Sequence, residues 1–194
     1  MNKKKHPFLS RNSILISTSL FFLFIYCSCA DINRNGQQHK IGAMNIYLDS
    51  IEKIILNDKN DSLSKMTQKS TDVELRIKNY LISDTIDLAL GKKMDDYKIM
   101  RKKIGYLRKN KSVLKKAIKE EKYALSKLKK DINKGSGRKD KYDDYIIFEQ
   151  NKVKKIKILF EEYIDNKNMV YSTYKRLHKE LYDYSLSLID KKSE

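Results

Sequence analysis

The sequence predicts an all-α protein: a long antiparallel coiled-coil-like helical hairpin packed with one or two shorter N-terminal helices in a small bundle. Three observations carry this. The chain of 194 residues holds six glycines and one proline, too few for a sandwich or barrel, which needs a turn every ~8–12 residues. Two stretches, 97–132 and 142–188, place apolar residues at alternating steps of three and four, the mark of helices that pack along a seam. Between them stands KGSG at 134–137, a turn-like tetrapeptide.

The elements follow in chain order. Residues 1–28 combine a basic start (Lys3, Lys4, Lys5, Arg11) with an apolar run from Ile14 to Tyr26 and the small residue Ser28. That is the layout of an export signal peptide. The run rises only about 20 Å as a helix, short of the ~30 Å hydrocarbon core. Cys27 and Cys29 are the only cysteines. A cysteine directly after such a run resembles the lipobox of bacterial lipoproteins. In that family the signal is removed before the cysteine, which is diacylated and becomes the first mature residue. The resemblance implies lipidation at Cys29, which follows the small Ser28, whereas Cys27 follows the bulky Tyr26. Tyr26 also stands where the family usually has Leu. An ordinary signal peptide or an uncleaved anchor is the alternative. If the lipoprotein resemblance holds, the lipid bilayer is a partner through Cys29, and no thiol remains for a disulfide or a metal.

Residues 29–42 then form the lipidated Cys and a flexible tether, polar with Gly36 and Gly42. Residues 43–91 hold short helices. The first, Ala43 to Leu56, carries Ile46, Ile51, Ile54 and Ile55. A polar connector covers 57–64. Thr71 and Glu74 match a capping box, followed by Val73, Ile77, Tyr80, Leu81 and Leu88, with Gly91 placed to end that helix.

The long helical hairpin spans 94–190 with its turn at 134–139. Its first seam is Tyr97, Met100, Ile104, Leu107, Lys111, Leu114, Ile118, Glu121, Leu125, Leu128 and Ile132. The second runs from Tyr142 through Ile146, Glu149, Val153, Ile156, Phe160, Tyr163, Lys167, Val170, Tyr174, Leu177, Leu181 and Tyr184 to Leu188. Asp140 can cap the second helix. A short loop folds the two back on each other, so antiparallel partners have numbers adding to about 272. Glu121 then meets Asn151 and Lys152, Glu149 lies near Lys122, and Lys111 near Glu161 and Glu162. Lys167 falls opposite Gly105 and finds no partner. A parallel homodimer of one long helix is disfavoured by KGSG, though a homo-oligomer stays open.

The charge is concentrated. Of 42 Lys+Arg against 25 Asp+Glu in the chain, residues 98–130 hold 14 basic and two acidic side chains, whereas residues 29–97 hold 10 and 11. With Tyr97 at heptad position a, every e position is basic: Arg101, Arg108, Lys115, Lys122 and Lys129. Position f adds Lys102, Lys109, Lys116 and Lys130. These nine residues form the candidate polyanion-binding stripe. The opposite flank carries Ile99, Tyr106, Val113, Ala117 and Ala124, an apolar arc wider than two helices need, which predicts contact with a third helix from 43–90. A solvated face is the plain alternative for the stripe, but such a face normally interleaves both signs. A row of like charge attracts polyanions in a salt-dependent way. For an exported protein these are a sulfated glycosaminoglycan, an anionic lipid, a lipopolysaccharide-like polymer or an acidic host protein. Export disfavours nucleic acid.

No dinucleotide-binding glycine pattern, phosphate loop or zinc-protease helix occurs. His178 reads as a flank residue, and Asp95–Asp96 and Asp143–Asp144 read as helix-start residues answering the dipole. No residue set points to an enzyme, a metal or a cofactor. Signal, tether and helical lysine-rich composition together resemble the small helical outer-surface lipoproteins of spirochaetes. That resemblance implies a surface-exposed, membrane-anchored, non-enzymatic interaction protein, acting in adhesion or immune evasion. The alternative is a periplasmic structural or envelope-assembly lipoprotein that binds a bacterial partner.

Overall fold

The structure is a computed structural model. It describes the backbone of residues 11–58, 61–82, 85 and 87–193, and the side chains of 33–58, 62–82, 85 and 87–191. The described residues form α-helices and one short 3-10 turn, with no strand: α1 (Arg11–Asn57), α2 (Asp61–Tyr80), α3 (Leu88–Lys134) and α4 (Tyr142–Ser193), the 3-10 turn lying at Lys139–Lys141. The fold is all-α, a small helical bundle.

α3 and α4 form the expected antiparallel hairpin. Ten of the eleven predicted seam residues of α3 are buried, and Leu128 packs against them half-buried. The register follows the sequence pattern: Glu121 meets Lys152 at 2.8 Å and Asp96 meets Arg176 at 3.0 Å. The turn is built by Gly135, whose φ of 62° places it in the left-handed region. Its N–H and that of Ser136 return to the carbonyls of Ile132 and Asp131, a Schellman closure that favours glycine. The Tyr142 hydroxyl donates to the carbonyls of both Asp131 and Ser136, tying the start of α4 to the turn. Asp140 lies in the 3-10 turn and pairs with Arg138, so it is not the cap that the sequence suggests.

α1 and α2 act as one third helix broken near residue 58. Both run antiparallel to α3. Asp49 and Glu52 of α1 reach Lys122, Ser64 of α2 accepts from Arg108, and Glu74 reaches Arg101. The buried face of α1 is Ile41, Met44, Leu48, Ile51 and Ile55, spaced for a helix, while Ile46 and Ile54 of the expected set are exposed. A single core of these residues with Leu63, Met66, Val73 and Ile77 runs the length of the hairpin.

Three boundaries differ from the sequence reading. The tether expected over 29–42 is helical in α1, and Gln37 and Ile41 are buried, because Gln37 donates to Asp143 and Ile41 fills the end of the core. Thr71 and Glu74 do not cap a helix. They lie inside α2, where the Thr71 hydroxyl bonds back to the Thr67 carbonyl; Leu63, Met66 and Ser70 extend the buried face a full two turns earlier. Gly91 does not stop a helix either, since it sits in the first turn of α3, which Asp87 caps by accepting from the N–H groups of Ala89 and Leu90. Asp95 and Asp96 are consequently interior to α3, whereas Asp143 and Asp144 do occupy the first turn of α4.

Candidate binding face

The third helix lies on the basic flank of α3, not on the apolar one. This reverses the sidedness read from the sequence. Ile99, Tyr106 and Val113 remain 52, 40 and 46% exposed. The reason is charge matching. The inner edge of α1 and α2 offers Asp49, Glu52 and Glu74, and these meet Lys122 and Arg101 at 2.6–2.7 Å. Long basic side chains can also lay their methylene stems over an apolar core while the charge reaches outward.

The predicted stripe is therefore split. Arg101, Arg108 and Lys122 are engaged by α1 and α2. Lys102, Lys109, Lys115, Lys116, Lys129 and Lys130 stay exposed, and Lys98, Lys119 and Lys127 join them. These nine lysines run for about 48 Å along α3 at 1.5 Å per residue. One acidic neighbour on that face, Glu120, comes within 3.9 Å of Lys116. Cys29 lies outside the residues whose side chains are described.

The polar seam residues form two buried clusters. In the first, Glu121 sits beside Glu149, and Lys152 bridges both at 2.8 and 2.7 Å. Burial pushes the Glu121 carboxyl above the usual range. Glu149 adds to the rise and Lys152 opposes it. Glu149 was expected near Lys122 and instead shares Lys152, because Lys122 turns to α1. The second cluster fills the break between α1 and α2. Asp58 accepts from the Tyr163 hydroxyl, pairs with Lys167 at 2.9 Å, and takes a hydrogen bond from Lys111 on its main-chain carbonyl. Burial works to raise the Asp58 carboxyl, but the bonds from Tyr163 and Lys167 and the charges of Lys167 and Lys111 hold it below the usual range. Burial depresses Lys111, which Lys115 and Lys167 reinforce and Asp58 opposes. Lys167 thus has the partner that the sequence register did not supply, and Lys111 turns to Asp58 rather than to Glu161 or Glu162. Lys167, the one seam charge left without a partner by the sequence register, was the available signal for an acid arriving from a third helix.

His178 is no flank residue. It shares a hydrogen bond with the Tyr97 hydroxyl and stacks on Tyr174, ring centres 4.2 Å apart and planes 18° from parallel. Burial, with Lys69 and Arg76 nearby, pushes its pKa below the ordinary histidine value. A surface cavity of about 440 Å³ opens beside it, lined by Lys69, Asp72, Arg76, His178, Lys179 and Tyr182. The signal for this cluster was the hairpin register, which brings Tyr97 opposite the Tyr174–His178 turn. Among the described residues no His, Cys, Asp and Glu side chains are grouped to hold a metal ion, and no helix is long and apolar enough to cross a membrane.

Comparison of the chain with family models, with curated proteins and with solved structures gave no match.

Proposed function

We propose that this chain is a membrane-anchored lipoprotein, acylated at Cys29, that works at the outer-membrane surface as a non-enzymatic interaction protein. Its helical bundle presents the lysine face of α3 to a polyanionic or acidic host ligand, in adhesion or immune evasion. The observation that carries this reading is the exposed row of nine lysines on α3, with Glu120 the acid that approaches it. A face held at one sign raises the local concentration of an oppositely charged polymer and loses that attraction as salt rises. The signal-like start and the cysteine at its end support the anchor.

Three measurements test the reading. Radiolabelled palmitate enters the wild-type protein and not Cys29→Ser; incorporation into neither removes the anchor. The protein is retained on heparin and released by a salt gradient, and Lys115→Glu, Lys129→Glu and Lys130→Glu together abolish retention. Unchanged elution of the triple variant ends the polyanion reading. Protease treatment of intact cells degrades a surface protein and spares a periplasmic one.

A further inference from the structure

The side of the hairpin opposite α1 and α2 is an open edge between α3 and α4. Along it Ile99, Tyr106 and Val113 recur at seven-residue intervals, all well exposed. Each is followed three positions later by an exposed lysine: Lys102, Lys109 and Lys116. Across the edge, Tyr106 donates to Glu162 and Lys103 to Asn166. Phe148, 61% exposed, lies on the same side of α4 as Asn166, because 18 residues make about five whole turns. A shallow cavity of about 320 Å³ opens there between Ile99, Tyr106 and Glu162. The sequence calls for a third-helix partner for this apolar row, and the chain places its third helix elsewhere.

We infer that this edge docks an acidic amphipathic helix of a partner protein, which completes a four-helix bundle. This deepens the interaction-protein reading and rests on it. The heptad spacing matches what a helix laid into a two-helix groove would read, its apolar residues on the row and its acids beside the flanking lysines. The row spans about 21 Å, or roughly four turns of partner helix. Charge complementarity selects the occupant. A second copy of this chain would bring lysine rows together. A polysaccharide has no use for an apolar row. A flat bilayer meets protruding side chains better than a groove between helices.

The test uses the full chain on a biosensor surface. The probe is a synthetic helix of about 18 residues, leucine at a and d with glutamate flanking, roughly the length of the row. Its control has the same composition with the periodicity scrambled. The expected result is binding of the patterned peptide at least about tenfold tighter than the control, and about tenfold weakening by Val113→Asp. Thermal melting of Val113→Asp stays at the wild-type value, because Val113 is outside the core, and Val113→Ser, which adds no charge, weakens peptide binding while leaving heparin elution at the wild-type value. Equal binding of the two peptides, or no effect of Val113→Asp, overturns the inference. So does phosphatidylglycerol vesicle binding, or self-association, that Val113→Asp abolishes. No binding of the patterned peptide by the unsubstituted chain, while that chain is retained on heparin, defeats the docking edge alone. Heparin retention lost while patterned-peptide binding persists defeats the polyanion reading alone.

Discussion

Glu121 of α3 and Lys152 of α4 meet at 2.8 Å inside the hairpin, with the Glu121 side chain 2% exposed and Glu149 on the same ammonium group. Two carboxyls and one lysine in a buried seam fix the pairing of the helices but carry a desolvation cost. Because Glu121 titrates above its unfolded value when folded, the folded state binds its proton more tightly. Its contribution is favourable below the unfolded value and is lost as pH rises through the folded one. Glu121→Gln therefore gains stability relative to wild type as pH rises from 4 to 7. Thermal melts across that range check the sign. Lys152→Met, which leaves both carboxyls without their cation, costs about 2 kcal/mol, below the 3–5 of a fully buried pair because Lys152 is partly solvated.

The break between α1 and α2 depends on Asp58. Removing its carboxylate leaves Lys111 and Lys167 facing each other around the Tyr163 hydroxyl. Asp58→Ala is expected to cost about 3 kcal/mol, the scale for orphaning a buried charge. Asp58 is held below its ordinary value, so its stabilisation is present above that value and is lost as pH falls through the folded one. Acid unfolding of Asp58→Asn should accordingly show a shallower loss below pH 4 than wild type. An equal loss of unfolding free energy between pH 6 and pH 3 in wild type and Asp58→Asn, read from urea titrations, would remove Asp58 from the account.

The hairpin was legible because its signal is redundant. A period of 3.5 sustained from Tyr97 to Ile132 and again from Tyr142 to Leu188 tolerates Lys111, Glu121 and Lys167 without losing phase, and KGSG supplies the left-handed Gly135. The start of α2 was not, because Leu63 and Met66 sit among polar residues and Thr71–Glu74 mimics a cap. The sidedness of the third helix failed for a different reason. An apolar flank argues for burial, but Arg101 and Lys122 are half-buried and hand their charges to α2 and α1, and Arg108 donates to Ser64. Matching Asp49, Glu52 and Glu74 against the e positions, rather than weighing net charge by segment, would have found the face.

His178 makes the upper end of the hairpin sensitive to mild acid. Its folded value lies below the unfolded one, so the unfolded chain takes up the proton first. The stability it guards is complete above about pH 6.5 and declines as pH falls through the folded value. His178→Phe keeps a ring against Tyr174 and loses the bond to Tyr97. It should be about 1 kcal/mol less stable at pH 7, the scale of one hydrogen bond, and show a smaller drop in melting temperature between pH 7 and pH 5. The histidine ring shift, followed by NMR, gives the folded value directly.

The division of the basic residues into engaged and outward sets gives the last prediction. Lys122 lies between Asp49 and Glu52, whose hydrogen bonds raise its pKa despite partial burial. Lys122→Glu sets three carboxylates together at the α1–α3 interface and should cost about 1–2 kcal/mol, since the partners are partly solvated. Lys129→Glu makes the same change of charge on the exposed side, where no acid is close, and should leave the melting temperature within the ±0.5 kcal/mol typical of surface changes. Heparin retention should order the two the other way, falling more for Lys129→Glu than for Lys122→Glu when both are measured on folded protein, because a charge already bound by two carboxylates adds little to the outward field. If the two variants lower stability equally, or if Lys122→Glu reduces retention more, then α1 does not hold Lys122 against α3 in solution and all five e positions face the ligand together.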